Sequence, residues 1–274
     1  VRVLITGVAG RIGGVLRNDL RGCYTHLRLT DKRALSDLKD DEDFIQADLT
    51  DFDAIARVVE GIDVIVHLGA TAMEDAWPTI LQNNIAGTFN IFEAARVRNV
   101  RRVIFASTHH VVGYYPRGKQ VAPDDPVRPD SRYAVSKVFG ESLGRLYADK
   151  HGIETIAMRI GTFQSKPLDR RQLSAWISRR DMVELTRCCI DAPKVHFEIV
   201  FGVSDNRRNW WDIGSARRLG YVSQDDAESY AAEIDTRIPK TEMQAAVQFQ
   251  GGNNCATEFS ADLDKLLASL TRRR

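Results

Sequence analysis

The segment RYAVSK places Tyr133 and Lys137 four residues apart, so that on a helix both side chains share one face. That pairing has a chemical use. A lysine ammonium stabilises a tyrosinate and lowers the phenol pKa, which lets Tyr133 take a proton from an alcohol as hydride leaves the carbon. The spacing alone is common by chance. It gains weight because the apolar run RRVIFAST, ending in Ser107 and Thr108, reads as a strand shortly before it. Thr108 can donate or accept a hydrogen bond at the reacting oxygen, with Ser107 in reserve; alternatively these hydroxyls satisfy strand-end backbone. Asn84, in QNNIAGTFN, falls in a helical stretch where Asn has poor propensity. It either holds a water or orders Lys137, or it bonds the backbone of a distorted helix.

A second constellation opens the chain. In TGVAGRIGG, Gly7, Gly10 and Gly13 follow a short β-branched run directly, with Arg11 and Ile12 between the last two. Glycines there would let backbone approach a pyrophosphate, whose charge meets the amides and dipole of the following helix. Asp31 lies 18 residues after Gly13, at the end of a second strand, where a carboxylate accepts hydrogen bonds from ribose hydroxyls. This favours NAD, although Lys32 and Arg33 would suit a 2'-phosphate. Asp48 and Leu49 follow a third strand and could flank an adenine. Leu68, Gly69 and Ala70, after His67, offer close backbone approach beside a cofactor, while His67 itself reads as a packed histidine.

The elements that must hold these groups alternate. VRVLITG, LRLT at 27–30, FIQADL, IDVIVHLGA, RRVIFAST and IETIAMRIG read as strands, separated by helices near 12–21, 51–61, 77–99 and 131–150. Strands apolar almost throughout, with helices between, predict a parallel sheet covered on both faces. The fold class is therefore α/β, a Rossmann-type doubly wound sheet with a small C-terminal substrate-binding lobe. We expect one NAD-binding domain over 1–235, with substrate-binding insertions mainly in 160–235. The remaining 236–274 form an extension, helical near 260–270, that docks or frays.

With 274 residues, 43% hydrophobic and 27% charged, the composition is that of a folded globular chain. The 38 Lys+Arg against 37 Asp+Glu exclude nucleic-acid binding by bulk charge. No run approaches the roughly 18 apolar residues of a membrane span. Cys23, Cys188, Cys189 and Cys255 form neither a C-x-x-C nor a disulfide framework, which points to a reduced, cytoplasmic setting. His26, His151 and His196 show no metal-ligand grouping, so no metal is expected. Trp210, Trp211, Phe163, Trp176 and Phe201 could line a sugar pocket, but read better as packing.

TGVAGRIG, Asn84, FAST and YAVSK together resemble the extended short-chain dehydrogenase/reductase family of NAD-dependent sugar dehydrogenases, epimerases and dehydratases. FASTHHVVGYYP, RPDSRYAVSKVFGE, MRIG, LSAWISRRDMVEL and NWWDI resemble its uronate dehydrogenase branch, over about residues 1 to 235. The resemblance implies NAD-dependent oxidation of the C1 hydroxyl of cyclic D-glucuronate or D-galacturonate to an aldarolactone by a homo-oligomer. It makes Tyr133 the base, Lys137 its partner, and Asn84 and Thr108 members of the catalytic set, with Thr108 where a serine is usual. It places Ile160 at the cofactor and Arg171 on the uronate carboxylate, with Arg170 as rival, and makes His110 a substrate contact. A bidentate guanidinium suits that task. Ala72 and Thr162 stand where the family has serines, and His109 where it has asparagine. Threonine keeps a hydroxyl; Ala72 does not, and His109 changes size and hydrogen bonding, so a related sugar or sugar phosphate also fits as substrate. Two further activities fit the same motifs, a nucleotide-sugar epimerase or dehydratase and a non-catalytic NAD sensor. The short C-terminal part opposes the first, and the intact Tyr/Lys pair opposes the second.

Overall fold

A computed structural model describes residues 1–236 and 243–271. Seven parallel strands form the main sheet: β1 (Arg2–Thr6), β2 (His26–Asp31), β3 (Asp43–Gln46), β4 (Val64–His67), β5 (Arg102–Thr108), β6 (Glu154–Ile160) and β9 (Phe197–Gly202), in the order β3-β2-β1-β4-β5-β6-β9. Between β6 and β9 a two-stranded parallel pair, β7 (Thr162–Phe163) and β8 (Trp176–Ile177), stands apart. The chain order reverses between β1 and β4, the switch point at which doubly wound sheets open a crevice at their carboxyl ends.

Alternation along each strand divides the core. Val3, Ile5, Val64, Val66 and Ile104 face α1 (Arg11–Asp19) and α7 (Arg179–Asp191) through Leu16, Met182 and Leu185. Leu4, Ile65 and Val103 face α2 (Phe52–Val58), α4 (Gly87–Val97) and α5 (Arg132–His151) through Ile55, Phe92 and Leu143. β4, β5 and β6 are buried along their whole length, because both faces are covered. The expected helix over 77–99 is α3 (Trp77–Ile80) continuing through a π turn, Leu81–Ala86, into α4, so Asn84 sits in the distorted turn.

The smaller elements are α6 (Gln172–Ala175), α8 (Gly214–Arg218), α9 (Ala231–Asp235), α10 (Gln244–Gln248), α11 (Asn253–Ala256) and α12 (Leu263–Thr271), with Ala216 of α8 packed into the sheet's core. The described part of the C-terminal extension, 243–271, docks rather than frays. Ala245, Ala246, Phe249, Cys255 and Ala256 form a buried cluster with Tyr114 and the apolar side of α12. Of the aromatic residues expected to pack, Trp211 is buried and stacked on Phe201 at 5.5 Å, and Trp176 is buried against Ala227 and Ala231.

α5 carries Tyr133 and Lys137, and its seat on the sheet is close. It starts at Ser131, whose hydroxyl accepts from the Ala134 amide, and ends at Gly152 in the left-handed region. A Cβ on Gly140 would lie 2.2 Å from Phe105 Cζ, and one on Gly144 2.7 Å from Thr155 Cγ2. Beside them Glu141 accepts from the Ser107 hydroxyl at 2.6 Å and from the Arg159 guanidinium through two bonds of 2.9 Å. Gly140→Ala separates two effects of opposite sign. Helix propensity alone would stabilise by about 1 kcal/mol, whereas overpacking against buried Phe105 costs about 1–3 kcal/mol. We expect a lower thermal unfolding midpoint; an unchanged or raised one contradicts this packing.

Candidate active site

One cavity of about 630 Å³ runs along the carboxyl ends of β1, β2, β4, β5 and β6. Its walls include Gly7, Gly10, Arg11, Ile12, Gly13, Asp31, Asp48, Leu49, Leu68, Gly69 and Ala70 at one end, and Ala72, Thr108, His109, His110, Tyr133, Lys137, Ile160, Thr162 and Arg171 at the other. Residues spread over 165 positions of sequence thus meet in one crevice. Asn84 is the exception among the expected site residues and does not line it. Its amide accepts from Thr71 N–H at 2.8 Å and donates to the Thr71 carbonyl and the Ser136 hydroxyl, each at 3.0 Å. Asn84 therefore staples the loop after β4 to α5; its bonds run to Thr71 and Ser136 instead of Lys137. Its neighbour Asn83 is the one at the wall.

At the glycine end the structure sharpens what each glycine does. Gly7 has φ +71° and a Cβ there would lie 2.7 Å from the Gly69 amide; on Gly13 it would lie 2.3 Å from the Gly7 carbonyl. These two glycines let the loops after β1 and β4 and the start of α1 interlock. Gly10 begins α1 without a side-chain cap, and no acidic residue follows in the first turn, so the positive helix end faces the cavity without a carboxylate of its own turn. Asp31 accepts from the Ala9 amide at 2.9 Å and the Arg33 amide at 3.0 Å, which fixes its carboxylate at the wall. Arg33 is folded back onto the Ala9 carbonyl at 2.8 Å. His67 is fully enclosed: the Gly69 amide donates to Thr6 Oγ1 at 3.0 Å, leaving that hydroxyl to donate to His67 Nδ1 at 2.8 Å. Burial and the nearby Lys137 push its pKa down to about 3, so it is a neutral packing residue.

At the other end, Thr108 and Tyr133 form a pair. Burial pushes the Tyr133 phenol up to about 12, opposed by a hydrogen bond with the Thr108 hydroxyl. Lys137 lies beneath, its ammonium nitrogen 4.9 Å from the Phe105 ring centre and 5.7 Å from that of Tyr133. Burial alone pulls it down to about 7. Desolvation thus dominates both groups, and the expected lowering of the phenol by the ammonium is not among the influences on Tyr133, which are burial, Thr108 and Asp130. Ser107, the expected reserve for Thr108, gives its hydroxyl to Glu141 instead.

Arg171 stands on the far wall. Its guanidinium donates to His109 Nε2 at 3.2 Å, to the Gln250 carbonyl at 3.3 Å and to Thr162 Oγ1 at 3.4 Å. Its rival Arg170 points away, paired with Asp235 at 2.9 Å. His110 Nδ1 meets the buried Asp130 carboxylate at 2.6 Å. The C-terminal segment reaches this end too, which sequence reasoning missed. Gln250 is fully buried, its amide holding Trp211 Nε1 at 2.8 Å and the Lys119 carbonyl at 2.7 Å. Gly252, with φ +64°, passes so close that a Cβ would lie 2.7 Å from Arg171 Cδ. The adjoining GG in FQGGNN was the signal available in sequence. Thr6, Thr71 and Gln164 also line it, unforeseen, and Phe163, expected as a packing residue, stands at the wall too.

Residues 3–214 match the model of the NAD dependent epimerase/dehydratase family. The chain belongs to that family. It is 42% identical over 253 residues to the uronate dehydrogenase of Pseudomonas syringae pv. tomato, covering 92% of each chain. The solved structure of the uronate dehydrogenase from Agrobacterium tumefaciens is 41% identical and superposes with a TM-score of 0.89, over 93% of this chain and 96% of that one. A tyrosine-to-alanine mutant of the Agrobacterium enzyme, complexed with NAD, superposes equally, with a TM-score of 0.89 at 41% identity over 93% and 97% of the two chains. With the family shown, the chain is an NAD-dependent oxidoreductase on a Rossmann-type fold. Among the described residues no helix is long and apolar enough to cross a membrane, and no group of three His, Cys, Asp or Glu could hold a metal ion.

Buried Lys137 gives a pH test with a definite sign. Its folded pKa, about 7, lies below the free-lysine value of 10.5, so the unfolded chain binds more protons between those limits and stability rises with pH there. The penalty is complete below pH 7 and absent above about pH 10.5. Lys137→Met should therefore raise the thermal midpoint of the ligand-free protein, more at pH 6 than at pH 9. Equal gains at both would contradict a desolvated ammonium.

Proposed function

We propose that this chain oxidises the C1 hydroxyl of a cyclic uronic acid, D-glucuronate or D-galacturonate, to an aldarolactone, with NAD as hydride acceptor. What carries the reading is that Thr108, Tyr133 and Lys137 share one cavity with Arg171 on one side and Asp31 with the open start of α1 on the other. The residues present fit NAD. The amides at Arg11 and Ile12 suit a pyrophosphate, the Asp31 carboxylate suits ribose hydroxyls, and Leu49, Leu68 and Ala70 supply apolar wall. Bound there, NAD supplies the electrophilic carbon that accepts hydride.

Every other demand falls on the protein. A cyclic uronate has a hemiacetal carbon at one end and a carboxylate at the other. Arg171 can grip the carboxylate through two parallel hydrogen bonds, which sets the distance and orientation of C1. Thr108 and Tyr133 then meet the C1 oxygen. As the C1–H bond breaks with its electron pair, the O–H proton passes to the tyrosinate and the electrons of that bond close C1=O, leaving a lactone. An ammonium form of Lys137 favours the tyrosinate required for that transfer. His110, held by Asp130, stands where it can meet a ring hydroxyl. Ala72 leaves one wall without a hydroxyl, which supports testing neutral and phosphorylated sugars beside uronates. Exposed Phe89, Val135 and Leu146, on adjacent helices α4 and α5, support self-association.

The test is initial-rate NADH formation with D-glucuronate, D-galacturonate, D-galactose, L-arabinose and D-glucose 6-phosphate. We expect kcat/KM for a uronate to exceed that for every uncharged or phosphorylated sugar by at least about tenfold, one charge-assisted contact's worth. Tyr133→Phe should lower kcat by about 10²–10⁴-fold. A phosphorylated or neutral sugar as best substrate would overturn the substrate assignment, and an undiminished Tyr133→Phe the mechanism.

A further inference from the structure

His109 lies between the reacting end of the cavity and Arg171, and its ring is 3% exposed. Both ring nitrogens are used within the protein, and their partners fix the tautomer. Nδ1 stands 3.0 Å from the Ile160 carbonyl, which can only accept, so Nδ1 carries the proton. Nε2 stands 3.2 Å from an Arg171 nitrogen, which can only donate, so Nε2 offers a lone pair. A histidine expected as a substrate contact therefore has neither nitrogen left for a sugar. Two tilted rings pack against it, Trp211 at 5.2 Å and His110 at 4.0 Å between ring centres.

We propose that His109 is a positioning residue that sets preference for a carboxylated sugar: as a neutral Nδ1–H imidazole it accepts from Arg171 and fixes the direction of the guanidinium fork. This rests on the reading of Arg171 as the carboxylate contact. The anchor has to be neutral. A carboxylate in its place would compete with the substrate for the guanidinium charge, whereas an imidazole lone pair orients the fork and leaves its charge undiminished. Thr162 and the Gln250 carbonyl, also neutral acceptors, add to that support. The charged and titratable groups facing His109 among the described residues are Arg171 and His110, with Asp130 behind His110. Protonating Nε2 would set an N–H against the guanidinium. Accordingly burial, then His110 and Arg171, hold the His109 pKa well below the ordinary histidine value, with the Ile160 carbonyl opposing weakly. The ring stays neutral across the pH range in which exposed histidines titrate.

Two variants test the ring's bond to Arg171. His109→Leu removes both ring bonds; His109→Gln reaches the Nε2 position with a carbonyl oxygen. The full-length protein is assayed with D-glucuronate and D-galactose, and its histidine rings are followed by nitrogen-15 NMR without cofactor, His109 being identified by its loss in the variants. We expect His109→Leu to raise KM for glucuronate about tenfold with kcat within about twofold, leaving KM for galactose in place. His109→Gln should recover most of the loss. The His109 ring should hold the neutral Nδ1–H pattern from pH 5.5 to 9 while an exposed histidine titrates near ~6.5. An equal rise in KM for both sugars, no rise for glucuronate, or a His109 ring that titrates with the exposed histidines would overturn the proposal. If the wild-type protein oxidises no uronate, the specificity claim falls with the functional reading, while the NMR pattern still judges the Arg171 contact by itself.

Discussion

The site depends on how closely α5 sits on the sheet. Without a side chain at Gly140, the helix rests on the Phe105 ring, and the same ring supports the Lys137 ammonium. Glu141 then locks the helix in register, taking a hydrogen bond from Ser107 on β5 and two from Arg159 on β6. A buried ion pair of this kind contributes little net stability but is costly to break once formed, so it serves better to fix position than to add strength. Its neighbours on β5 and α5, Thr108 and Tyr133, inherit that register. The placement of the Thr108 and Tyr133 hydroxyls is therefore a consequence of contacts made about two turns further along the helix.

The other half of the crevice is built by loops interlocking instead of by helix on strand. Gly7 and Gly69 touch across the switch point, and Asp31 is held by two amides of the neighbouring turns, so the end proposed for the nucleotide is held by the protein's own contacts. At the far end Arg171 is supported by His109 from the strand-end turn, Thr162 from β7 and the Gln250 carbonyl from the C-terminal segment. Three separate parts of the chain thus converge on one guanidinium. On the proposed function, that convergence is how a chain with a net charge of +1 would present a local site for an anion, by the placement of Arg171 rather than by bulk charge.

Much of this was legible in residue order. The first six main-sheet strands and the helices between them follow from apolar periodicity, because a sheet covered on both faces demands continuous apolar runs, and the glycine, Tyr133 and Lys137 motifs fall where those elements end. β9 was not foreseen: FEIVFG lies amid polar loops, and only its pairing with β6 makes it a strand. Asn84 was seen as unusual in a helix, but its partners Thr71 and Ser136 come from elements distant in sequence, so no local pattern could name them. Ser107 and Thr108 look alike in sequence and are separated only by the alternation of β5, which turns one toward Glu141 and the other toward Tyr133. The contribution of residues 243–256 was invisible for a related reason. The polar stretch QGGNN looks like a linker until the close passage of Gly251 and Gly252 past Asp130 and Arg171 is seen.

On the proposed function, the crevice orients a cyclic uronate by its carboxylate so that chemistry falls on C1 alone. Glucuronate labelled with carbon-13 at C1 is incubated with the enzyme and NAD and followed by NMR. The anomeric carbon signals should give way to a lactone carbonyl signal in step with NADH formation. A label that stays anomeric while NADH accumulates, or a sugar epimerised without NADH, would contradict it.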